Sequence, residues 1–157
     1  MIGREESVRV IETAIDDMNP EIYPYLIERL IRYGALDAFA TPVIMKKGRP
    51  ANLLSVTCRE ESLEAVMKII FQETTTLGVR IREEKRRVLR RSFSEVQTPW
   101  GAVKIKAGYL EEEDGEPAQL APEYDDCKRI AEEKNIPLKE VYAAACSAAE
   151  RTKGVEK

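Results

Sequence analysis

Three groups of polar residues, far apart in the chain, have the chemistry to hold a divalent metal ion together with a polyphosphate. They are Asp16 and Asp17; Lys46, Lys47 and Arg49; and Glu73, Thr74, Thr75, Thr76 and Arg80. Carboxylates are ligands of hard cations such as Mg²⁺ and Mn²⁺, which keep waters and phosphate oxygens in the rest of their shell. Lysine and arginine neutralise phosphates, and arginine binds them through paired hydrogen bonds. These groups make a site only if the fold brings them together.

The hydrophobic pattern predicts a β-α-β-β-α-β order, so we predict an α+β, ferredoxin-like domain over residues 7–91. Strands are expected at 8–15, 36–45, 52–58 and 79–89, and helices at 19–34 and 62–71. Asn19 and Pro20 are typical of a helix start, and Gly34 of a helix end. Pro42 indicates that part of its strand lies at a sheet edge or in a bulge.

The second helix shows the clearest apolar spacing in the chain. Its predicted buried face consists of Leu63, Val66, Met67, Ile70 and Phe71. This spacing of i, i+3, i+4, i+7 and i+8 is typical of a helix that packs one stripe against a core.

This topology brings the three polar groups to one edge of the sheet. A right-handed β-α-β crossover makes the first two strands parallel, and the following hairpin reverses the third. The end of the first strand, the turn at 46–49 and the entry to the fourth strand then lie side by side. Each group also has a simpler interpretation: turn and cap chemistry for the aspartates and threonines, and protection of a sheet edge for the basic turn.

The remaining residues predict a smaller subdomain at 92–151. We expect a hairpin from strands at 93–97 and 103–109, a charged loop at 111–121, and helices at about 123–134 and 138–150. Residues 152–157 are expected to be a flexible tail.

Composition excludes several classes of function. The chain has no histidine, so histidine catalysis and histidine-containing metal sites are excluded within it. Its three cysteines show no CxxC spacing, which argues against a disulfide framework or a structural zinc site. The net charge of −3 gives no case for nucleic acid, and we expect a cytoplasmic protein without membrane segments. The basic run 80–91 favours a salt-bridged surface or a subunit interface.

At the same residues the sequence resembles a known family. The segments IETAIDDMNPE, MKKGRP, ETTTLGVR and APEYDDC, in this order and at these separations, are similar to the nickel-insertion proteins of nickel-pincer cofactor synthesis (LarC-like proteins). The similarity runs from residue 8 to residue 147. Members of this family are about twice as long, and their N-terminal half, with its glycine-rich start, has no counterpart here.

The resemblance implies a CTP-dependent nickel insertase, or cyclometallase, that inserts nickel into pyridinium-3,5-bisthiocarboxylic acid mononucleotide. CTP is used with Mn²⁺ or Mg²⁺, and the C-terminal half of the family is associated with binding metal–CTP. The resemblance implies that Asp16, Asp17 and Glu73 hold the metal. The implied nucleotide ligands are Lys46, Lys47, Arg49, Thr74, Thr75, Thr76, Arg80, Glu123 and Tyr124. Nickel is a substrate ion, and its ligands are expected in the missing N-terminal half.

Two interpretations of other classes stay open. The chain is alternatively a regulatory ferredoxin-like domain, or a scaffold that organises the N-terminal half without catalysis of its own. A homo-oligomer is expected, because a ferredoxin-like sheet leaves one face and its edge strands unprotected. Glu123 and Tyr124 alternatively begin a helix whose acidic first turn follows Pro122.

Overall fold

The computed structural model describes residues 2–110 and 115–153. The elements are β1 (Arg4–Ile15), α1 (Ile22–Arg32), β2 (Ala35–Met45), β3 (Arg49–Cys58), α2 (Leu63–Glu73), β4 (Arg80–Val88), β5 (Arg90–Thr98), β6 (Gly101–Tyr109), β7 (Gln119–Pro122), α3 (Tyr124–Lys134) and α4 (Leu138–Lys153). Two compact units result: an N-terminal unit, Glu5–Arg86, and a C-terminal unit that comprises Arg87 onward with the residues before Glu5. The α+β class is confirmed.

The N-terminal unit is built on a four-stranded sheet in the order β2-β3-β1-β4. β3 is antiparallel to both neighbours, with Val56 opposite Ile11 on β1 and opposite Ala38 on β2. β2 is an edge strand, which is one of the two placements that Pro42 allowed, because a proline has no N–H for a second neighbour.

The two helices of this unit bury their apolar stripes on one face of the sheet. Ile11, Leu54 and Val56 from the strands and Leu30 and Ile70 from the helices all have zero exposed surface. The burial of this cluster holds α1 and α2 against the strands.

The start of α1 differs from the prediction. The helix begins at Ile22, whereas Asn19 and Pro20 form a turn that precedes it. Asn19 is not the helix cap, which is Glu21. The Asn19 Oδ1 accepts a hydrogen bond of 3.0 Å from the Glu21 N–H. The side chain closes a local turn two residues on, which competes with starting the helix at Pro20 itself.

Gly34 ends α1 in a conformation that other residues rarely adopt, with φ +105°. A Cβ there would stand 2.6 Å from Ser62 Oγ. We expect Gly34→Ala to lower the free energy of unfolding by about 1–3 kcal/mol, measured by urea denaturation. Gly78→Ala is the matched control, because a Cβ at Gly78 meets nothing within 4 Å. Equal losses in the two variants would contradict this explanation.

The C-terminal unit has a three-stranded sheet in the order β5-β6-β7. Its core joins Val103 and Ile105 of β6 to Ile130 of α3 and Val141 of α4. β7 begins within the segment predicted as a loop at 111–121, of which residues 111–114 lie outside the described part. It pairs with β6 from Ile105↔Pro122 to Gly108↔Gln119. Its four residues are too few to show an alternating pattern, which explains why the strand was missed.

The end of α4 differs from the predicted helix at 138–150. It continues to Lys153, into the segment predicted as a tail, and residues 154–157 lie outside the described part. No helix in the described ranges combines the length and the apolar composition needed to cross a membrane.

Candidate functional site

The ends of β1, the β2–β3 turn and the α2–β4 loop meet at one edge of the N-terminal sheet. Arg49 Nη1 lies 3.1 Å from Asp16 Oδ2, and Thr75 Oγ1 donates a hydrogen bond to Asp17 Oδ1. The aspartate group therefore contacts both the basic turn and the threonine loop. Asp17 and Thr75 are 58 residues apart in sequence. We call this set the shared edge: Asp16, Asp17, Arg49, Thr75 and Thr76.

Strand register explains why the shared edge forms. Ile15, the last residue of β1, pairs with Asn52 of β3, so Asp16 follows at the level of the β3 start. Arg49 is the first residue of β3 and pairs with Met45, which ends β2. The side chains at the edge are thus placed by backbone hydrogen bonds of the sheet.

A buried hydroxyl pair holds the threonine loop onto β1. Thr13 is 4% exposed, and its Oγ1 lies 2.6 Å from Thr76 Oγ1 and 3.1 Å from the Gly78 carbonyl oxygen. Thr13 was not among the site residues predicted from the sequence. The available signal was a polar residue at a position of β1 where alternation places apolar ones, between Ile11 and Ile15 on the same face.

The basic turn carries Lys46 and Lys47 on the exposed surface beside Arg49. Lys47 has φ 64° and Gly48 has φ 69°, so two consecutive residues adopt left-handed conformations. A Cβ on Gly48 would meet nothing within 4 Å. The glycine is thus explained by backbone conformation and leaves open space above the turn.

Arg80 lies next to Glu12 rather than next to the aspartates. Its Nη2 is 4.0 Å from Glu12 Oε2, while Arg82 binds the same carboxylate through two hydrogen bonds of 2.7 and 3.1 Å. The hydrogen bonds from Arg82 lower the pKa of Glu12, and the charges of Arg82 and Arg80 lower it further. Glu12 therefore stays ionised at neutral pH and pairs with both arginines at the start of β4.

Glu73, the last residue of α2, contacts α1. Its carboxylate accepts a hydrogen bond from Arg29, whose Nη1 also lies 3.0 Å from the Tyr25 hydroxyl. Thr74 Oγ1 donates to the Ile70 carbonyl oxygen at 2.7 Å and so closes the last turn of α2. Thr74 thus forms the helix cap that was its simpler interpretation, whereas Thr75 and Thr76 lie at the shared edge.

Glu123 and Tyr124 lie in the C-terminal unit, at the start of α3. The Glu123 N–H donates to the Lys104 carbonyl oxygen at 2.8 Å, and its carboxylate is 3.9 Å from Lys106 Nζ. Tyr124 is 56% exposed. Their predicted role in nucleotide binding stays a prediction.

Within residues 2–110 and 115–153, no three acidic, histidine or cysteine side chains converge to hold a metal ion by themselves. Cys58 and Cys127 are fully buried, and burial raises the pKa of both thiols. Such thiols remain protonated and unreactive at neutral pH. The oxygen donors at the shared edge are two carboxylates flanked by hydroxyls, which suits a cation that takes its other ligands from water and phosphate.

Comparisons of sequence place this chain within a family. The sequence model described as "Nickel insertion protein" matches residues 2–142. A "Pyridinium-3,5-bisthiocarboxylic acid mononucleotide nickel insertion protein" of Clostridium acetobutylicum is 46% identical over 149 residues, 91% of this chain and 35% of that protein. A "Putative nickel insertion protein" of Dictyoglomus thermophilum is 49% identical over 132 residues, 84% of this chain and 33% of that protein. The chain spans about a third of the length of these relatives.

Solved structures similar to this chain include one of the same family. A solved apo structure is described as "LarC2, the C-terminal domain of a cyclometallase involved in the synthesis of the NPN cofactor of lactate racemase". It is similar to this chain with a TM-score of 0.84 and 37% identity, and the match covers 94% of this chain and 99% of that one. A protein from Methanopyrus kandleri is similar with a TM-score of 0.62 and 27% identity over 92% of this chain and 90% of that one.

Proposed function

Since the chain belongs to the nickel insertion protein family, we propose that it is the C-terminal, metal–CTP-binding part of a CTP-dependent nickel insertase. The complete enzyme would complete the nickel-pincer nucleotide cofactor by inserting nickel into pyridinium-3,5-bisthiocarboxylic acid mononucleotide. The observation that carries the proposal is the shared edge, where Asp16 meets Arg49 and Asp17 meets Thr75.

The donor set at the shared edge fits a metal that arrives with its nucleotide. Mg²⁺ and Mn²⁺ are commonly held by one or two carboxylates, and the phosphates and waters supply the other ligands. Asp16 and Asp17 supply that number of carboxylates from one short segment. A cage of three or more protein carboxylates is therefore unnecessary.

The Asp16–Arg49 pair gives the site a way to admit a charged complex. The Arg49 side chain is 59% exposed and Asp16 is 21% exposed, so the guanidinium is free to turn outward while the carboxylate stays in place. When a cation binds Asp16, Arg49 is released to a phosphate oxygen. Each partner exchanges one opposite charge for another, and neither is left unpaired.

The positive charges around the edge are suited to the triphosphate. Lys46 and Lys47 are exposed on the adjoining turn. The hydrogen bond between Thr13 and Thr76 holds the threonine loop at the same edge. Exposed lysines act as mobile point charges, whereas Arg49 offers a planar fork. Leu77, fully exposed between Thr76 and Gly78, presents an apolar side chain to which a nucleotide base can pack.

Nickel is a substrate in this proposal, and its ligands belong to the rest of the polypeptide. The sequence contains no histidine, and two of its three cysteines are fully buried. A soft or borderline metal prefers thiolates and imidazoles, which this chain does not offer at the shared edge.

The proposal is tested by titrating the purified chain with CTP by calorimetry, with and without Mn²⁺ and with ATP for comparison. We expect saturable binding of CTP that strengthens at least tenfold when Mn²⁺ is present, because the cation cancels repulsion between the phosphates and the aspartates. ATP is expected to bind more weakly. If the folded chain bound CTP equally well with and without Mn²⁺, or not at all, the scaffold interpretation would replace this one.

A further inference from the structure

A basic cleft in the C-terminal unit is separate from the shared edge. It is lined by Arg4, Val88, Leu89, Arg90 and Arg91, and its volume is about 540 Å³. All five residues belong to the same compact unit. Sites for small molecules have volumes of roughly 300–1,000 Å³, so the basic cleft is large enough for a mononucleotide.

The arginines of the run 80–91 have two kinds of surroundings. Arg82 and Arg86 form ion pairs with Glu12 and Glu6 along the β1–β4 pair, as expected for a salt-bridged surface. Arg90 instead lies over the ring of Tyr109, with its guanidinium carbon 3.9 Å from the ring centroid. A cation–π contact orients a guanidinium but leaves its charge and its donors available to an anion.

Two close contacts lie beside the basic cleft. The Tyr109 hydroxyl lies 2.9 Å from Ser92 Oγ, which holds the ring beneath Arg90. Gly3, with φ +66°, lies so close to Val88 that a Cβ would stand 2.8 Å from the Val88 carbonyl oxygen. Arg4 therefore follows a backbone segment that lies against the backbone of Val88. Arginines around a floor of Val88 and Leu89 suit a flat apolar ring that carries anionic groups.

We infer that the basic cleft binds the pyridinium mononucleotide into which nickel is inserted. This inference rests on the proposed function. The mononucleotide has one positive ring nitrogen, two thiocarboxylates and a phosphate, so its net charge is negative at neutral pH. Arg90 and Arg91 bind the anionic groups, and the ring lies on Val88 and Leu89.

Charge makes a second cavity in the C-terminal unit unsuitable for the mononucleotide. It has a volume of about 490 Å³ and is lined by Phe93, Lys104, Glu123, Asp125 and Asp126. Its exposed aromatic ring suits stacking, but three carboxylates against one lysine would repel a multiply charged anion.

A cavity on the outer face of α1 is less suitable as well. Its volume is about 280 Å³, which is near the lower limit for such ligands, and Arg29 within it is already paired with Glu73.

The test uses nicotinate mononucleotide, which carries a pyridinium ring, one carboxylate and a ribose 5′-phosphate. It is titrated into the ¹⁵N-labelled chain and followed by amide chemical shifts, which also report whether each variant is folded. We expect saturable shifts centred on Leu89, Arg90 and Arg91. Inorganic phosphate and the riboside without phosphate are expected to bind at least tenfold more weakly, because each lacks one of the two recognised features.

The variant Arg90→Ala/Arg91→Ala is expected to weaken binding of nicotinate mononucleotide at least tenfold, because charge-assisted hydrogen bonds to the phosphate are lost. The control Arg59→Ala/Arg129→Ala removes the same charge from two exposed positions elsewhere. It is expected to bind as the unchanged chain does. Equal weakening in both variants, or binding of inorganic phosphate as tight as that of the mononucleotide, would overturn the inference.

The same spectra separate this inference from the proposed function. CTP with Mg²⁺ is expected to shift the amides of Asp16, Asp17 and Thr75, whereas nicotinate mononucleotide shifts those of the basic cleft. If CTP with Mg²⁺ shifts its amides and nicotinate mononucleotide shifts none, the cleft is refuted as the site of the mononucleotide and the proposed function stands. If nicotinate mononucleotide shifts the amides of the cleft and CTP with Mg²⁺ shifts none, metal–CTP binding by this chain is refuted and the cleft is supported.

Discussion

Replacing Asp16 and Asp17 together by asparagine is expected to abolish the strengthening of CTP binding by Mn²⁺. Loss of outer groups around a metal already lowers metal affinity 10–100-fold, so loss of both direct carboxylates should lower the affinity for CTP at a fixed Mn²⁺ concentration at least tenfold. Asparagine keeps an acceptor for the Thr75 hydroxyl, and the loop should stay in place. The measurement is calorimetric titration of CTP at a fixed Mn²⁺ concentration and without it.

Two further features make this experiment decisive. Removing the carboxylates also removes negative charge near the phosphates, so CTP binding without metal should stay unchanged or become tighter. The control Asp37→Ala/Glu64→Ala deletes two exposed carboxylates of the same unit away from the shared edge. If it weakened Mn²⁺-dependent binding as much as the asparagine variant does, a general charge effect would explain the data and the aspartates would not be the ligands.

The shared edge was predictable because it depends on chain direction alone. Once the order β-α-β-β-α-β is read from the hydrophobic pattern, handedness and hairpin reversal leave few arrangements. They bring the residues after β1 next to those before β3 and β4. The observed contacts of Asp16 with Arg49 and of Asp17 with Thr75 follow from that arrangement.

The ion-pair partners of the other predicted site residues were less predictable, because a long charged side chain can reach several residues of opposite charge. Glu73 follows the sequence pattern of the metal group, yet it pairs with Arg29 of α1. Arg80 shares Glu12 with Arg82, because all three lie along the β1–β4 pair. Such choices depend on distances of a few ångströms across elements, and spacing in the sequence carries no information about them.

Thr13 shows that sequence does not reveal the hydrogen-bond partner of a buried polar residue. A single polar residue in a strand is usually solvated, and only the structure shows that it is buried and bound to Thr76 and Gly78. The pairing depends on the α2–β4 loop returning to β1, which is a tertiary event. Local pattern identifies the anomaly, but not its partner.

The final prediction concerns the face that α2 buries, where periodicity and structure disagree. The pattern places Ile70 and Phe71 together on the core side, whereas Ile70 has zero exposed surface and Phe71 is 45% exposed. We expect Ile70→Ala to lower the free energy of unfolding by about 2–5 kcal/mol, since it leaves a cavity among Ile11, Leu30 and Leu54.

Phe71→Ala is the matched control, and it is expected to lower the free energy of unfolding by less than about 1.5 kcal/mol despite the larger side chain removed. Both variants are measured by urea denaturation with a common m-value. A greater loss for Phe71→Ala would mean that the helix is rotated by one position relative to the sheet. In that case the loop from Thr74 to Gly78, which follows the end of α2, would not lie where it meets Asp17, and the shared edge would lose its threonine side.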